Sequence, residues 1–369
     1  MTIEAAMFGH HEADPRALLY YEWCQRTESG YAVDDFEEEV HELTNTDRPV
    51  PAACFRLLDK IEHAPRLADW PYTEWADAPH LGNPPGSDQD SAGPLPEPEL
   101  LDRLHGGWLG RHTARSRAGA EVDYAVLGLH LLERHGLDFS PDDVAAEWLE
   151  RLPFLRTYTA ERVAYRNLID GFAPPDTATY RNPYREWVGA LARADIHGYT
   201  HPGHPRRAAG AAARDASISH TGNGLWAAMW SAALIAAAFT DHVPASALTA
   251  AAAVVPARSR LAVALAEVLA DHARGDTWER AVTAVHARHN HYNRVHAIGN
   301  ACLIAAGLLW GEGDFDRTVT LTARGGWDTD SNSATAGSVA GILTGAAALS
   351  TTDGSGLADL AGRTRNLFV

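Results

Sequence analysis

Residues 323–343 read ARGGWDTDSNSATAGSVAGIL, a stretch that joins two acidic side chains to a long run of small ones. Asp328 and Asp330 stand two residues apart, directly after a Gly-Gly pair. The small residues predict a helix that packs closely against a neighbour, and acids at its start are favoured by the helix dipole. The same two carboxylates, together with Ser331, are also suitable ligands for a hard cation such as Mg²⁺. Spacing alone leaves both interpretations open, an acidic helix cap and a metal site.

Helical patterns extend from this stretch over most of the chain. Residues 99–111, 122–136 and 295–311 each place apolar side chains three and four positions apart, which is the spacing of a helix with one buried face. No long stretch alternates between apolar and polar residues, as a half-buried strand would. We therefore predict an all-α domain over residues 99–369.

The N-terminal part of the chain differs in charge. The whole chain has a net charge of -17, and residues 1–100 hold 21 acids against 6 bases. We predict an acidic helical segment over residues 1–78 and a linker rich in Pro, Gly and Ser over residues 79–98. An acidic chain repels the phosphate backbone, which argues against nucleic acid as a partner. The acidic segment is interpreted as a solvated surface or, alternatively, as a docking surface for a protein partner.

The sequence indicates a cytoplasmic protein without a membrane segment. Cys24, Cys54 and Cys302 are far apart and lack C-x-x-C spacing, which is typical of reduced thiols. The N-terminus has neither the basic region nor the long apolar stretch of a signal peptide. The alanine-rich run at 225–238 is shorter than the roughly 20 residues that a bilayer span needs. It is predicted to be a buried helix.

A second pair of acids lies at the start of another predicted helix. Glu121 and Asp123 are again two residues apart, directly before an apolar helical stretch. If the two acid pairs face each other in a helical domain, they supply the oxygen ligands that Mg²⁺ requires. The alternative is that both pairs are unrelated helix caps.

Polar residues in the middle of the chain suggest a substrate pocket. Asn182 and Arg185 lie among aromatic residues, a pattern typical either of a hydrogen-bonded core network or of a pocket lining. His220 and Asn223 lie in a Ser/Gly-rich turn that opens a helix, where backbone N–H groups suit phosphate or sugar oxygens.

Three histidines, His286, His289 and His291, are close together in the sequence. Such a cluster can bind zinc, but no cysteine or acid completes the site. We interpret them as surface histidines.

Taken together, these segments resemble the ADP-ribosylglycohydrolase family. The residues that carry the resemblance are GGWLGR (106–111), VDYAVLGLHLLE (122–133), SISHTGNG (217–224), VHAIGN (295–300) and GGWDTDSNSATAGSVAGI (325–342). The last is the most specific, because it is similar to the family's C-terminal metal motif, G-G-D-T-D-[ST]-N followed by a small-residue helix. The resemblance covers about residues 98–365.

The resemblance implies an all-α orthogonal multi-helix bundle with one or two Mg²⁺ ions, sometimes replaced by Mn²⁺. It also implies cleavage of the glycosidic bond between ADP-ribose and a protein side chain or small molecule. The metal ligands that it implies are Asp123, Asp328, Asp330 and Ser331. The substrate-binding residues that we assign are Asn182, Arg185, His220, Asn223 and His296.

The chain departs from the family at the N-terminal motif. The family reads Thr-Asp-Asp-Thr, whereas this chain reads Glu-Val-Asp-Tyr from Glu121 to Tyr124. Glu121 replaces either the family's catalytic glutamate or the aspartate of the family motif that this chain lacks. We assign Glu121, Asp123 and Asp330 as the catalytic residues, with Glu121 as the acid or base.

The sequence therefore predicts a metal-dependent hydrolase that cleaves an N- or O-ribosidic bond of an ADP-ribosylated, ribosylated or phosphoribosylated substrate. A first alternative is a small-molecule ribosidase of secondary metabolism with a reduced metal site. A second is a metal-free protein that only binds ADP-ribose. A third is a scaffold that uses its acidic N-terminal segment to dock a basic partner.

Overall fold

The computed structural model describes residues 14–46, 48, 50–74, 95–115, 122–349 and 355–368. Nineteen α-helices and no β-strand are present in these ranges, which confirms the all-α prediction. Short 3₁₀ helices add Asp34–Phe36, Phe154–Arg156 and Ala346–Ala348.

The N-terminal segment forms three helices with a small core of their own. They are α1 (Pro15–Glu28), α2 (Glu37–Thr44) and α3 (Pro51–Glu62). Asp14 caps α1 by accepting a hydrogen bond from the backbone N–H of Arg16, and a proline occupies the first turn of α1 and α3, where no N–H is needed. Leu19, Val40 and Leu58 are buried together in a cluster separate from the main core.

The main body follows as a bundle of helices from residue 97 onward. In chain order these are α4 (Glu97–Arg115), α5 (Val122–His135), α6 (Pro141–Arg151), α7 (Thr159–Ile169), α8 (Asp176–Thr179), α9 (Gly189–Arg193), α10 (Asp195–Tyr199), α11 (Pro205–Ala216), α12 (Gly222–Ala238), α13 (Pro244–Ala252), α14 (Arg260–Ala273), α15 (Trp278–His289), α16 (Ala297–Gly311), α17 (Phe315–Gly325), α18 (Thr329–Thr344) and α19 (Ser355–Arg365). Helix α4 begins two residues inside the predicted linker, most of which lies outside the described residues.

The small-residue helix α18 packs directly on α4. A Cβ at Gly106 would collide with the carbonyl oxygen of Gly341, and one at Gly110 with that of Gly337. The two helices therefore approach with their backbones in contact, as only glycine allows at these positions. The close packing predicted from the run of Ala, Gly and Ser is confirmed, and α4 is the helix against which α18 packs.

Two apolar helices form the centre of the main core. Helix α12 is buried along almost its whole length, and so is α16. The alanine-rich run at 225–238 lies in α12 and is a core helix, as predicted. No helix among the residues that the structure describes is both long enough and apolar enough to cross a bilayer.

The N-terminal segment is joined to the main body by polar contacts. Both nitrogens at the end of the Arg185 guanidinium group donate to the Glu22 carboxylate, at 2.6 and 3.0 Å. The backbone N–H of Thr73 donates to the carbonyl oxygen of Arg258 at 2.9 Å. These contacts place the segment beside the elements that carry several of the predicted substrate-binding residues.

Candidate active site

The first acid pair, Asp328 and Asp330, lies at the N-terminus of α18. Asp328 is the N-cap residue, and its carboxylate accepts a hydrogen bond from the Ser331 hydroxyl at 2.9 Å and from the Ser331 backbone N–H at 3.4 Å. Asp328 is half-buried, Asp330 in the first turn is exposed and Ser331 is buried. The helix dipole favours both negative charges at this end. The cap therefore fixes Asp328, while Asp330 remains open to solvent.

Asn300 holds the turn at the start of α18 in place, although it was not among the predicted site residues. Its side-chain oxygen accepts from the backbone N–H of Asp328 at 3.2 Å and from the Asn332 amide at 2.8 Å. Its side-chain nitrogen donates to the carbonyl oxygens of Arg294 and His296, at 3.0 and 2.8 Å. Asn300 thus ties the start of α16 to the start of α18. Its position in the VHAIGN motif was the available signal.

His220 lies in a buried polar network. Its Nδ1 is 2.8 Å from the Ser219 hydroxyl, and its Nε2 accepts from the Ala190 backbone N–H at 3.4 Å. Burial, reinforced by the charge of Arg193, holds the pKa of His220 well below its usual value. His220 is therefore a neutral side chain at physiological pH.

Asn182 and Arg185, predicted to contact substrate, also have protein partners. The Asn182 amide nitrogen donates to the Ser219 carbonyl oxygen at 2.9 Å. Arg185 is neutralised by Glu22, whose carboxylate also accepts from Arg26 at 2.8 Å. Burial acts to raise the pKa of Glu22, but the two arginines outweigh it and lower that pKa. Glu22 is therefore ionised and paired at neutral pH.

Asn223, at the start of α12, belongs to a second buried cluster. Its amide nitrogen donates to Glu74 at 2.9 Å and to Glu186 at 3.2 Å, and its oxygen accepts from the Leu261 backbone N–H at 3.1 Å. Arg260 bridges the same two carboxylates, at 3.0 Å to Glu74 and 2.6 Å to Glu186. Burial opposes ionisation of Glu186, but Arg260 outweighs it and holds the pKa of Glu186 well below its usual value.

His296, the fifth predicted substrate residue, caps helix α16. Its Nδ1 accepts from the Ile298 backbone N–H at 3.3 Å, and its ring stacks on Tyr292 with centroids 4.3 Å apart. Burial lowers the pKa of His296, although Glu186, 3.6 Å away, opposes this. The neutral imidazole is thus an acceptor that shapes the turn leading to Asn300.

The ADP-ribosylglycohydrolase family model matches residues 72–367, about four fifths of the chain. The chain belongs to the ADP-ribosylglycohydrolase family. The family is one of glycosidic hydrolases. The match begins at residue 72 and therefore includes Glu74 and its contacts with Asn223 and Arg260. No curated protein matches the chain.

The second acid pair follows helix α4 in the sequence. Glu121 lies outside the described residues, and Asp123 lies in the first turn of α5 with its side chain outside them. Helix α4 runs antiparallel to α18, and a Cβ at Gly337 would lie 2.6 Å from that of Ala114, near the end of α4.

The oxygen donors at α18 suit a hard cation. Asp328, Asp330 and Ser331 offer two carboxylates and a hydroxyl, the donor chemistry that Mg²⁺ and Mn²⁺ accept, and Mg²⁺ keeps several waters. Within the described ranges, no group of three or more His, Cys, Asp or Glu side chains is gathered closely enough to hold a metal ion. The metal site of this glycohydrolase therefore stays a prediction that needs Asp123 or Glu121 as a further ligand.

Proposed function

We propose that this protein is a metal-dependent hydrolase that cleaves an N- or O-ribosidic bond of an ADP-ribosylated or ribosylated substrate. The observation that carries the proposal is the carboxylate and hydroxyl pair at the α18 N-terminus, within a chain that matches the ADP-ribosylglycohydrolase family over residues 72–367. The family supports glycoside hydrolysis. The donor set at α18 supports the metal.

In this proposal Asp123, Asp328, Asp330 and Ser331 hold the divalent cation. A bound cation would supply Lewis-acid polarisation of the sugar oxygens and charge stabilisation as the glycosidic bond breaks. Asp328 is pre-oriented for this role, because Ser331 and Asn300 fix its side chain and its backbone. Glu121 is the proposed acid or base, protonating the leaving group or activating the attacking water.

Asn182, Arg185, His220, Asn223 and His296 stay predictions as substrate ligands. Their described hydrogen bonds go to protein groups, and three of them link to the Glu22, Glu74 or Glu186 carboxylates. We therefore expect these residues to act first by positioning the turns around α12 and α16. Direct contact with the substrate would require the protein partner to move away, as Glu22 would have to do for Arg185.

The proposal is tested by replacing Asp330 with Asn. Asp330 and Asp316 are both exposed and both occupy the second position of a helix, in α18 and α17 respectively. Asp316→Asn is therefore a matched control for changes in helix-end charge. Asp330→Asn should remove Mg²⁺ binding in calorimetry and ribose or ADP-ribose release from a panel of ribosylated compounds, with unchanged helical circular dichroism. Asp316→Asn should leave all three measurements unchanged.

The outcomes separate the alternatives. Retained Mg²⁺ binding and activity in Asp330→Asn would refute the metal role. ADP-ribose binding by the wild-type protein that is equal in EDTA and in Mg²⁺, without turnover, would favour the metal-free binding protein.

A further inference from the structure

A cavity of about 630 Å³ lies between the N-terminal segment and the main body. Trp23 and Glu28 of α1 and Trp70 line one side, and Arg260, Tyr292 and their neighbours line the other. The family match begins at residue 72, so most of the first wall comes from chain outside the matched region.

Aromatic rings form much of the lining. Trp70 and Tyr72 meet edge to face with centroids 5.2 Å apart, and Tyr292 is held by stacking on His296 at 4.3 Å. Trp23 adds a fourth ring from α1. Rings held by such contacts lose little further freedom when a ligand binds, and their faces attract cations.

The carboxylate of Glu28 is the polar group in the cavity that lacks a partner. Among the described residues it makes no hydrogen bond and no ion pair, although its backbone oxygen accepts from Arg260 at 2.9 Å. The remaining guanidinium N–H groups of Arg260 are directed at Glu74, Glu186 and Ser29. Burial raises the pKa of Glu28 to about 8, with Glu186 adding to the rise and Arg260 opposing it. The Glu28 carboxyl group is therefore mainly protonated at pH 7, and a cationic ligand beside it would favour the ionised form.

The other charges of the lining are already balanced. Glu267 pairs with Arg288 at 3.4 Å, and Arg288 also contacts Asp271 at 3.3 Å. Arg260 is shared by two carboxylates, so this buried cluster has an excess of negative charge beside the cavity.

The histidines of the lining do not offset that charge. Burial lowers the pKa of His289 to about 4 and also lowers the pKa of His291, so both rings are neutral at pH 7. Of the three histidines interpreted as surface residues, His286 and His289 are half-buried and His291 is exposed, and His289 and His291 line the cavity.

We propose that this cavity binds a small organic cation, an ammonium group on an apolar body, with Glu28 as its counter-ion and the aromatic rings as its walls. The two arginines of the lining, Arg260 and Arg288, are already paired with carboxylates, which leaves Glu28 as the charge with which a ligand can pair, and the rings favour an alkylated ammonium over a hydrated metal ion. The site stands independently of the proposed hydrolysis, because it uses neither acid pair.

The test is calorimetric titration of the full-length protein at about pH 9, above the Glu28 pKa of about 8, with choline and with 3,3-dimethylbutan-1-ol, its uncharged analogue of the same shape. We expect choline to bind at least about tenfold more tightly than the alcohol, because only the cation gains from Glu28 and the ring faces. Glu28→Gln should remove that preference. Glu28→Asp, which keeps the charge, should retain part of it.

Glu267→Gln is the matched control. Glu267 also lines the cavity, but its charge is used by Arg288, so its replacement should change choline affinity by no more than about twofold. Equal binding of choline and the alcohol, no binding of choline, or an unchanged preference in Glu28→Gln would each overturn the proposal. Circular dichroism of each variant establishes that the comparison is made between folded proteins.

Discussion

At the scale of single residues, the side-chain amide of Asn300 makes four hydrogen bonds and uses both of its ends to do so. Two of them hold the turn at 294–296, and two hold the start of α18. A fully buried amide in this position cannot be replaced without leaving several backbone groups unpaired. The geometry of Asp328 therefore depends on a residue that is not itself proposed to bind the metal or the substrate.

Replacing Asn300 with Ala should weaken the metal site and the fold together. We expect Mg²⁺ affinity to fall at least about tenfold, because residues that orient metal ligands contribute at that level. The free energy of unfolding should fall by about 2 kcal/mol, from the loss of buried hydrogen bonds. Calorimetry and urea unfolding measure the two effects. Asn290→Ala, at an exposed asparagine, should alter neither, and an unaffected metal affinity in Asn300→Ala would show that Asp328 needs no such support.

The sequence predicted local relations between residues better than distant ones. The proximity of Asp328 and Ser331 follows from a helix start, where positions three apart face each other. Arg185 was predicted to bind substrate, but in the structure it pairs with Glu22, which is 163 residues away along the chain. No local pattern encodes that pairing. Asn300 lies in the VHAIGN motif, but its contact with Asp328, 28 residues away, is likewise not encoded by a local pattern.

At the scale of helices, α4 and α18 form the closest contact of the fold. The composition of 323–343 was sufficient to predict a tightly packed helix, because small side chains allow the backbones of two helices to approach closely. The partner helix could not be inferred from that stretch alone. Its identity became clear only when Gly106 and Gly110 were found opposite Gly337 and Gly341.

Gly337→Ala should destabilise the protein, against the ordinary trend for helices. Alanine is normally favoured over glycine inside a helix by about 1 kcal/mol. At Gly337 the added methyl group would lie 2.5 Å from the carbonyl oxygen of Gly110, so α4 and α18 must separate. We expect a loss of about 1–3 kcal/mol in the free energy of unfolding. Thermal and urea unfolding provide the measurement.

Gly210→Ala is the matched control for that substitution. Gly210 lies inside α11, and a Cβ there would have no neighbour within 4 Å. This variant should be as stable as the wild-type protein or more stable. If Gly337→Ala behaved in the same way, the close contact of α4 and α18 would not be a determinant of stability.

At the scale of the whole molecule, part of the negative charge of the N-terminal segment is paired with arginines of the main body. The segment was interpreted as a solvated surface or as a docking surface for a partner. Among the described residues, however, Glu22 and Glu74 are buried counter-ions of Arg185 and Arg260 in the main body. Docking of a separate protein stays a prediction that concerns the exposed acids, such as those of α2.

Glu74→Gln should loosen the attachment of the segment. Glu74 accepts from Asn223 and from both the backbone and the guanidinium group of Arg260, and its side chain is only 3% exposed. Removing this charge leaves Arg260 paired with Glu186 alone and weakens several buried hydrogen bonds, at a cost of about 1–3 kcal/mol. We expect a lower free energy of unfolding and faster proteolysis within residues 1–74. Glu42→Gln, at an exposed acid of the same segment, should change neither.

An unaltered stability in Glu74→Gln would mean that the segment is held by its other contacts. The bidentate pair of Glu22 and Arg185 would then be the next to replace.

The cavity between the segment and the main body has a thermodynamic consequence for both. Because its walls come from two parts of the chain, a molecule that fills it recognises only their assembled form. At a free ligand concentration of a hundred times the dissociation constant, binding would add about 2.7 kcal/mol to the free energy needed to separate the segment from the main body. The dependence is mutual, so any event that displaces α1 also empties the cavity. Release of a small molecule and exposure of the α12 and α16 turns would then occur as one event.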